Sequence, residues 1–313
     1  MPRSAVTTHA SSGPPSVAHW RIGEKEARSS SFRFAAVLAT IRRMASLRLL
    51  ITGASGFLGA QVAAVARAAG HRVLATGRRG GDVAVDLLAP GMVAAVVQAA
   101  APDVVLHLAA MARLDDCERD PARAMQANAW LPEQFAQRFG ARLVHVSTDL
   151  VFAGTRAPCG PLDPVGPLSV YGQSKAQGEE RVRTHGGRVV RLPLLFGPDP
   201  EARGATASLR AALLRGRPVS LFTNEYRTPL HTRDAAEALV DLAANPDGPG
   251  LQHLAGPERV SRWELGLRFV RAHGLPQELL QPVECQDPLR PRDVSLASDW
   301  RAPRSLSAML ADS

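Results

Sequence analysis

The sequence contains no apolar run approaching the roughly 20 residues that a membrane-spanning helix needs. The longest near its start, residues 34–41, is far too short. Cysteine is sparse: Cys117, Cys159 and Cys285 are widely spaced, odd in number and free of any CxxC pair. That pattern argues against a disulfide framework and offers no metal site, and it suits a reducing, cytoplasmic compartment. No stretch interleaves basic with aromatic residues, so the formal charge of +8 does not mark a nucleic-acid-binding surface. Much of the surplus is local. Residues 1–43 hold seven basic and two acidic side chains, a balance of +5, which leaves +3 for the rest. There is no internal repeat.

What is present is ordinary for a globular protein, 45% hydrophobic and 21% charged. The first 43 residues stand apart: rich in Ser, Pro and Arg, they lack sustained periodicity and are expected to be disordered. A natural domain start follows at Met44, so this segment reads as an annotation artefact, with a transit peptide as the rival reading.

From residue 46 strands and helices alternate. Apolar runs at 47–52, 72–76, 103–108, 142–146 and 188–192 read as buried parallel strands. Helical spacing covers 57–69, 91–101, 121–139 and 171–185. This alternation predicts an α/β fold, a doubly wound parallel sheet spanning 44–192. Beyond Pro193 the pattern loosens. Helices are expected near 205–215, 234–244 and 262–273, and residues 193–313 read mainly as a smaller substrate-binding lobe.

Two motifs carry chemistry. The first is Thr52-Gly-Ala-Ser-Gly-Phe-Leu-Gly59, between the first strand and the first helix. Its small residues let the backbone turn tightly and rest a pyrophosphate on a helix N-terminus. Gly53, Ser55, Gly56, Phe57, Leu58 and Gly59 are therefore candidate dinucleotide contacts. NAD-selective folds tend to place an acid at the end of the second strand. Here that position reads Gly77-Arg78-Arg79, and guanidinium groups there favour the 2′-phosphate of NADP(H) over NAD(H).

The second motif is Tyr171-Gly-Gln-Ser-Lys175, whose spacing of four puts both side chains on one helical face. A free phenol titrates near pH 10, and a nearby ammonium is expected to lower that value and make the phenol an acid–base group. Ser147 and Thr148, at the end of the fourth strand, offer a hydroxyl to hold a carbonyl oxygen. The chain has only two tyrosines, Tyr171 and Tyr226.

With both motifs placed, the chain resembles the extended short-chain dehydrogenases/reductases, and within them the dTDP-4-dehydrorhamnose reductase group. The stretches that carry the resemblance run in order after Met44: TGASGFLG (52–59), PDVVLHLAA (102–110), LDDCERDPARAMQANA (114–129), HVSTDLVFAG (145–154), YGQSKAQGE (171–179), VVRLPLLFGP (189–198), YRTPLHTRDAA (226–236) and RPRDVSLAS (290–298). The resemblance implies Thr148, Tyr171 and Lys175 as the catalytic set, with Lys175 also holding the nicotinamide ribose. It places Asp86 and Leu87 at the adenine and Leu108, Ala109 and Ala110 along the cofactor. Asn128 supports the site, and Asp149 and Arg227 face the nucleotide-sugar substrate. Tyr171 would protonate the C4 oxygen of a 4-keto sugar as NADPH delivers hydride to C4. His107 reads as structural, and Asp86 equally as a turn cap.

One departure bears on substrate. The group usually carries an aromatic after Ser-Thr-Asp, where this chain has Leu150. Leucine cannot perform the proton abstraction of a dehydratase, and it leaves room for another sugar nucleotide or carbonyl compound. YRTPLHTRDAA also resembles the regulatory beta subunit of methionine adenosyltransferase, which works as a binding partner. A homodimer is expected by analogy with relatives, and no membrane partner.

Overall fold

The computed structural model describes residues 46–313, which belong to one compact unit. The readings made for residues 1–43 lie outside the described residues. Seven parallel strands form the central sheet: β1 (Arg48–Thr52), β2 (Arg72–Gly77), β3 (Val83–Ala84), β4 (Val104–His107), β5 (Leu143–Thr148), β6 (Arg188–Leu192) and β7 (Leu251–His253), in the order β7-β6-β5-β4-β1-β2-β3. The order reverses at β1 and β4, and such a switch point opens a crevice at the C-terminal strand ends.

The central strands are buried on both faces, which is why β1 and β4 read as largely apolar runs. Side chains still alternate. Leu49 and Ile51 pack on one side with Val62 of helix α1 (Phe57–Ala68) and Leu239 of a later helix. Leu50 and Val105 pack on the other with Val93, Phe135 and Val182. The second layer consists of α2 (Met92–Ala100), α3 (Leu114–Arg119), α4 (Pro121–Met125), α5 (Leu131–Phe139) and α6 (Val170–Thr184).

The helix expected over 121–139 exists but is not uniform. Between α4 and α5, Gln126–Trp130 forms a π-helical segment, an irregularity that helices often carry at functional positions. The segment presses against α6 at Gly178. A Cβ there would collide with the Asn128 carbonyl, so the two backbones approach as closely as they do only because that residue has no side chain.

After β6 come α7 (Ala205–Leu213), α8 (Thr232–Ala244), α9 (Arg262–Ala272) and α10 (Leu306–Ala311), with short paired strands between them. Helix α8 packs against α1, and β7 pairs with β6, so the later part of the chain returns to the sheet. No helix among the described residues is long and apolar enough to cross a membrane.

Candidate active site

The glycine-rich loop leaves β1 at Thr52. Gly53 has φ +72°, and a Cβ on it would stand 2.6 Å from the Ala109 nitrogen. The loop and the segment after β4 therefore meet backbone to backbone. Gly56 N–H donates to the Gly53 carbonyl at 2.9 Å. Helix α1 then begins with no acidic residue in its first turn and no side-chain cap. Its N-terminal amides and the positive end of its dipole face an open cavity of about 740 Å³. An anion is the natural occupant of such a position.

Gly53, Ser55, Gly56, Phe57, Leu58, Gly59, Arg78, Arg79, Asp86, Leu87, Leu108, Ala109 and Ala110 all line this cavity. Arg78 and Arg79 are exposed, and neither forms an ion pair with a described residue. Two uncommitted guanidinium groups at the cavity rim fit a ligand with a peripheral phosphate. Asp86 does two things: its carboxylate accepts from the Leu88 amide at 3.1 Å, capping the turn, and it lies 3.8 Å from Arg123. The glycine cradle, the uncapped helix and the free arginines together fit a dinucleotide.

Sequence reasoning did not find Arg203. It too lines the cavity; its guanidinium donates to the Ser55 carbonyl at 2.7 Å and is held by Asp199 at 2.8 Å. The segment 199–204 is thereby tied to the tip of the glycine loop. A signal existed only in the excess of charge over 199–203, which does not by itself indicate where the segment folds.

Thr148 ends β5 and Tyr171 lies in the first turn of α6, near enough for Thr148 to act on the phenol. The Thr148 hydroxyl also donates to Asp149 Oδ1 at 3.1 Å and accepts from the Leu150 amide at 3.2 Å. Ser169 caps α6 by accepting from Gly172 N–H, and Glu118 of α3 accepts from Val170 N–H at 2.8 Å. Both fix the entry of the helix that carries Tyr171. Lys175, 2% exposed, donates from Nζ to the Val146 carbonyl at 2.7 Å and lies 3.0 Å from His145 Nε2. Val146 lines the cavity, so Lys175 is bonded to the backbone of a lining residue from behind the cavity wall.

Burial lowers the Lys175 ammonium to about 7, with Glu179 opposing. Burial raises the Tyr171 phenol, with Thr148 opposing. The expectation that lysine lowers the phenol is thus not met in this geometry. Nζ is committed to Val146 and His145, and desolvation of the phenolate prevails. The consequence is a phenol that keeps its proton at neutral pH.

Asn128, fully buried in the π-helical segment, holds the site together. Its Oδ1 accepts from Met111 N–H, and its Nδ2 donates to the Met111 carbonyl and to Ser174 Oγ, each at 2.9 Å. Ser174 in turn donates to the Tyr171 carbonyl. Asn128 therefore ties a cavity-lining segment to the helix turn that carries both Tyr171 and Lys175.

Asp149 and Arg227 meet: Arg227 Nε lies 3.3 Å from Asp149 Oδ2, and its Nη2 lies 3.4 Å from Glu225. Both are nearly inaccessible, at 3% and 5% exposure. Burial raises the Asp149 carboxyl to about 6, with Arg227 opposing. His107, also fully buried, pairs with Thr52 Oγ1 at 2.8 Å.

A parallel seven-stranded sheet with a glycine-rich first turn, followed after β5 by a helix that opens on Tyr171-x-x-x-Lys175, fits the extended short-chain dehydrogenase/reductase class. More narrowly, the chain belongs to the RmlD substrate binding domain family, whose model matches residues 47–300. It is 30% identical to methionine adenosyltransferase 2 subunit beta from Xenopus laevis over 252 residues, 76% of this chain and 75% of that one. It is 29% identical to the spore coat polysaccharide biosynthesis protein SpsK of Bacillus subtilis (strain 168), covering 74% and 82%. Among solved structures, a dTDP-4-dehydrorhamnose reductase from Bacillus anthracis in complex with NADP superposes with TM-score 0.77 at 22% identity, covering 85% and 98%, which shows the fold. A hypothetical dTDP-4-dehydrorhamnose reductase from Sulfolobus tokodaii reaches TM-score 0.72 at 28% identity, covering 83% and 98%.

Proposed function

We propose that this protein is an NADP(H)-dependent reductase acting on the 4-keto group of a nucleotide-linked 6-deoxysugar. What supports the reading is the cavity lined by the glycine-rich loop, Arg78 and Arg79, next to β5 and α6, which carry Thr148, Tyr171 and Lys175. A bound nicotinamide supplies hydride to the carbonyl carbon. The chain's own residues do the rest. Thr148 and Tyr171 hold the carbonyl oxygen, and Tyr171 gives it a proton as negative charge develops there. Lys175, whose Nζ is held by Val146 and His145, would turn its remaining N–H to a ribose. Arg78 and Arg79 select the 2′-phosphate. Asp149, Arg227 and Glu225 form a buried cluster of paired charges next to Thr148.

The test is NADPH consumption with dTDP-4-dehydrorhamnose. Oxidation that requires Tyr171 supports the reading. Cofactor binding without any turnover, across this and other nucleotide-linked keto sugars, would overturn it. A second reading has a specific observation behind it, the likeness to methionine adenosyltransferase 2 subunit beta: a regulatory partner subunit. Stable association with a methionine adenosyltransferase catalytic subunit, without keto-sugar reduction, would favour it.

A further inference from the structure

Beneath Lys175 lies a buried pair of imidazoles that the proposed chemistry does not use. His145 and His107 are both 0% exposed, and their rings stack at 5.4 Å with an interplanar angle of 26°. His107 is pinned through Nδ1 to Thr52 Oγ1, which also accepts the Ala109 amide at 3.3 Å. One nitrogen of each ring, His107 Nε2 and His145 Nδ1, has no hydrogen-bond partner. Such orphaned polar atoms are costly in a protein interior and call for a reason.

We propose that His145 is a positioning residue for Lys175: its Nε2 accepts a hydrogen bond from Nζ and, braced by the stacked His107, fixes the ammonium against the Val146 carbonyl behind the cofactor cavity. This rests on the reading of Lys175 as a member of the catalytic set. An acceptor at Nε2 puts the ring proton on Nδ1, so the cost of this arrangement is a buried N–H without an acceptor. Burial and the Lys175 charge keep both rings neutral, with His107 lowered to about 3 and His145 well below its ordinary value. A neutral imidazole can steer an ammonium without capturing its proton. The other titratable groups coupled to Lys175 are Glu179, locked to Arg191 through Oε2 at 2.6 Å, and the stacked His107.

The composition makes a direct test available. The chain has only two lysines, Lys25 and Lys175, so selective carbon-13 labelling at the lysine ε position yields two signals, assigned with Lys175→Met. The Lys175 titration is then read without substrate or cofactor, independently of whether the reductase reading holds. His145→Phe keeps a ring but removes the acceptor and is expected to lower the Lys175 midpoint by about one pKa unit. His145→Gln, whose side-chain oxygen reaches the Nε2 position, is expected to restore it. In the unaltered protein, nitrogen-15 ring shifts should report the Nδ1–H tautomer of His145. An Nε2–H tautomer, or an unchanged midpoint in a folded His145→Phe variant, overturns the assignment.

Discussion

Replacing Lys175 by methionine should stabilise the protein while abolishing its proposed chemistry. The ammonium is 2% exposed, and burial takes it from an ordinary 10.5 to about 7. At about 1.4 kcal/mol per pKa unit, that difference amounts to roughly 4 kcal/mol of destabilisation at pH 7, on the order-of-magnitude scale such shifts allow. Methionine has similar length and no charge to desolvate. Against the gain stand the Val146 carbonyl and His145 Nε2, which lose their donor at about 1 kcal/mol or more each. A net gain of about 1–2 kcal/mol remains. The pH dependence carries the sign. A lowered folded-state pKa means that the unfolded chain binds more protons between about 7 and 10.5, so the wild type gains stability as pH rises through that window. The variant lacks this term, and its advantage should shrink from pH 7 toward pH 10. Urea unfolding of both proteins at several pH values measures it. A less stable variant at pH 7, or a difference that does not change with pH, would refute the reasoning.

Tyr171→Phe removes the proton donor without touching the cavity lining; turnover should fall by about 10²- to 10⁴-fold while NADPH affinity, followed by fluorescence titration, stays within about twofold. Arg78→Ala combined with Arg79→Ala should weaken NADPH binding by about 10- to 100-fold, as expected for loss of a charged hydrogen-bonding site, and leave NADH binding nearly unchanged; calorimetric titration of both cofactors distinguishes this from a general loss of the cavity. Gly178→Ala gains about 1 kcal/mol in helix propensity but forces a methyl against the Asn128 carbonyl, an overpacking cost of about 1–3 kcal/mol. Thermal melts should show a net loss, and a variant more stable than wild type would mean that the two helices separate freely.

The sheet and the cofactor cavity were legible because their signals are local. A parallel strand buried on both faces writes itself as an apolar run, and a phosphate-cradling turn needs its small residues at fixed spacing, as in Gly53–Gly59. Arg78 and Arg79 are read by counting along a strand. The features that escaped depend on contacts between distant segments. The resemblance named Asn128, but not the π-helical form of its segment nor its partners Met111 and Ser174, 17 and 46 residues away. His145 reads as one polar residue in an otherwise apolar strand, and its importance appears only when Lys175 is folded onto it. The phenol's upward shift was also beyond reach: spacing places Tyr171 and Lys175 on one face but does not tell which acceptors claim the ammonium. Helix α3, which supplies Glu118 to the start of α6, was hidden by its six-residue length. So was β7, with three residues.

Strand β7 has a consequence for how the molecule is made. It joins the edge of the nucleotide-binding sheet beside β6, yet it lies some 60 residues later in the chain, and α8, which covers α1, is also drawn from that later stretch. During synthesis the first six strands emerge with an unpaired edge at β6 and a bare apolar face on α1. Exposed strand edges and apolar faces recruit other chains. A polypeptide released near residue 192 would therefore be a sticky fragment, and the sheet is closed off only once the later segment carrying α8 and β7 has been made.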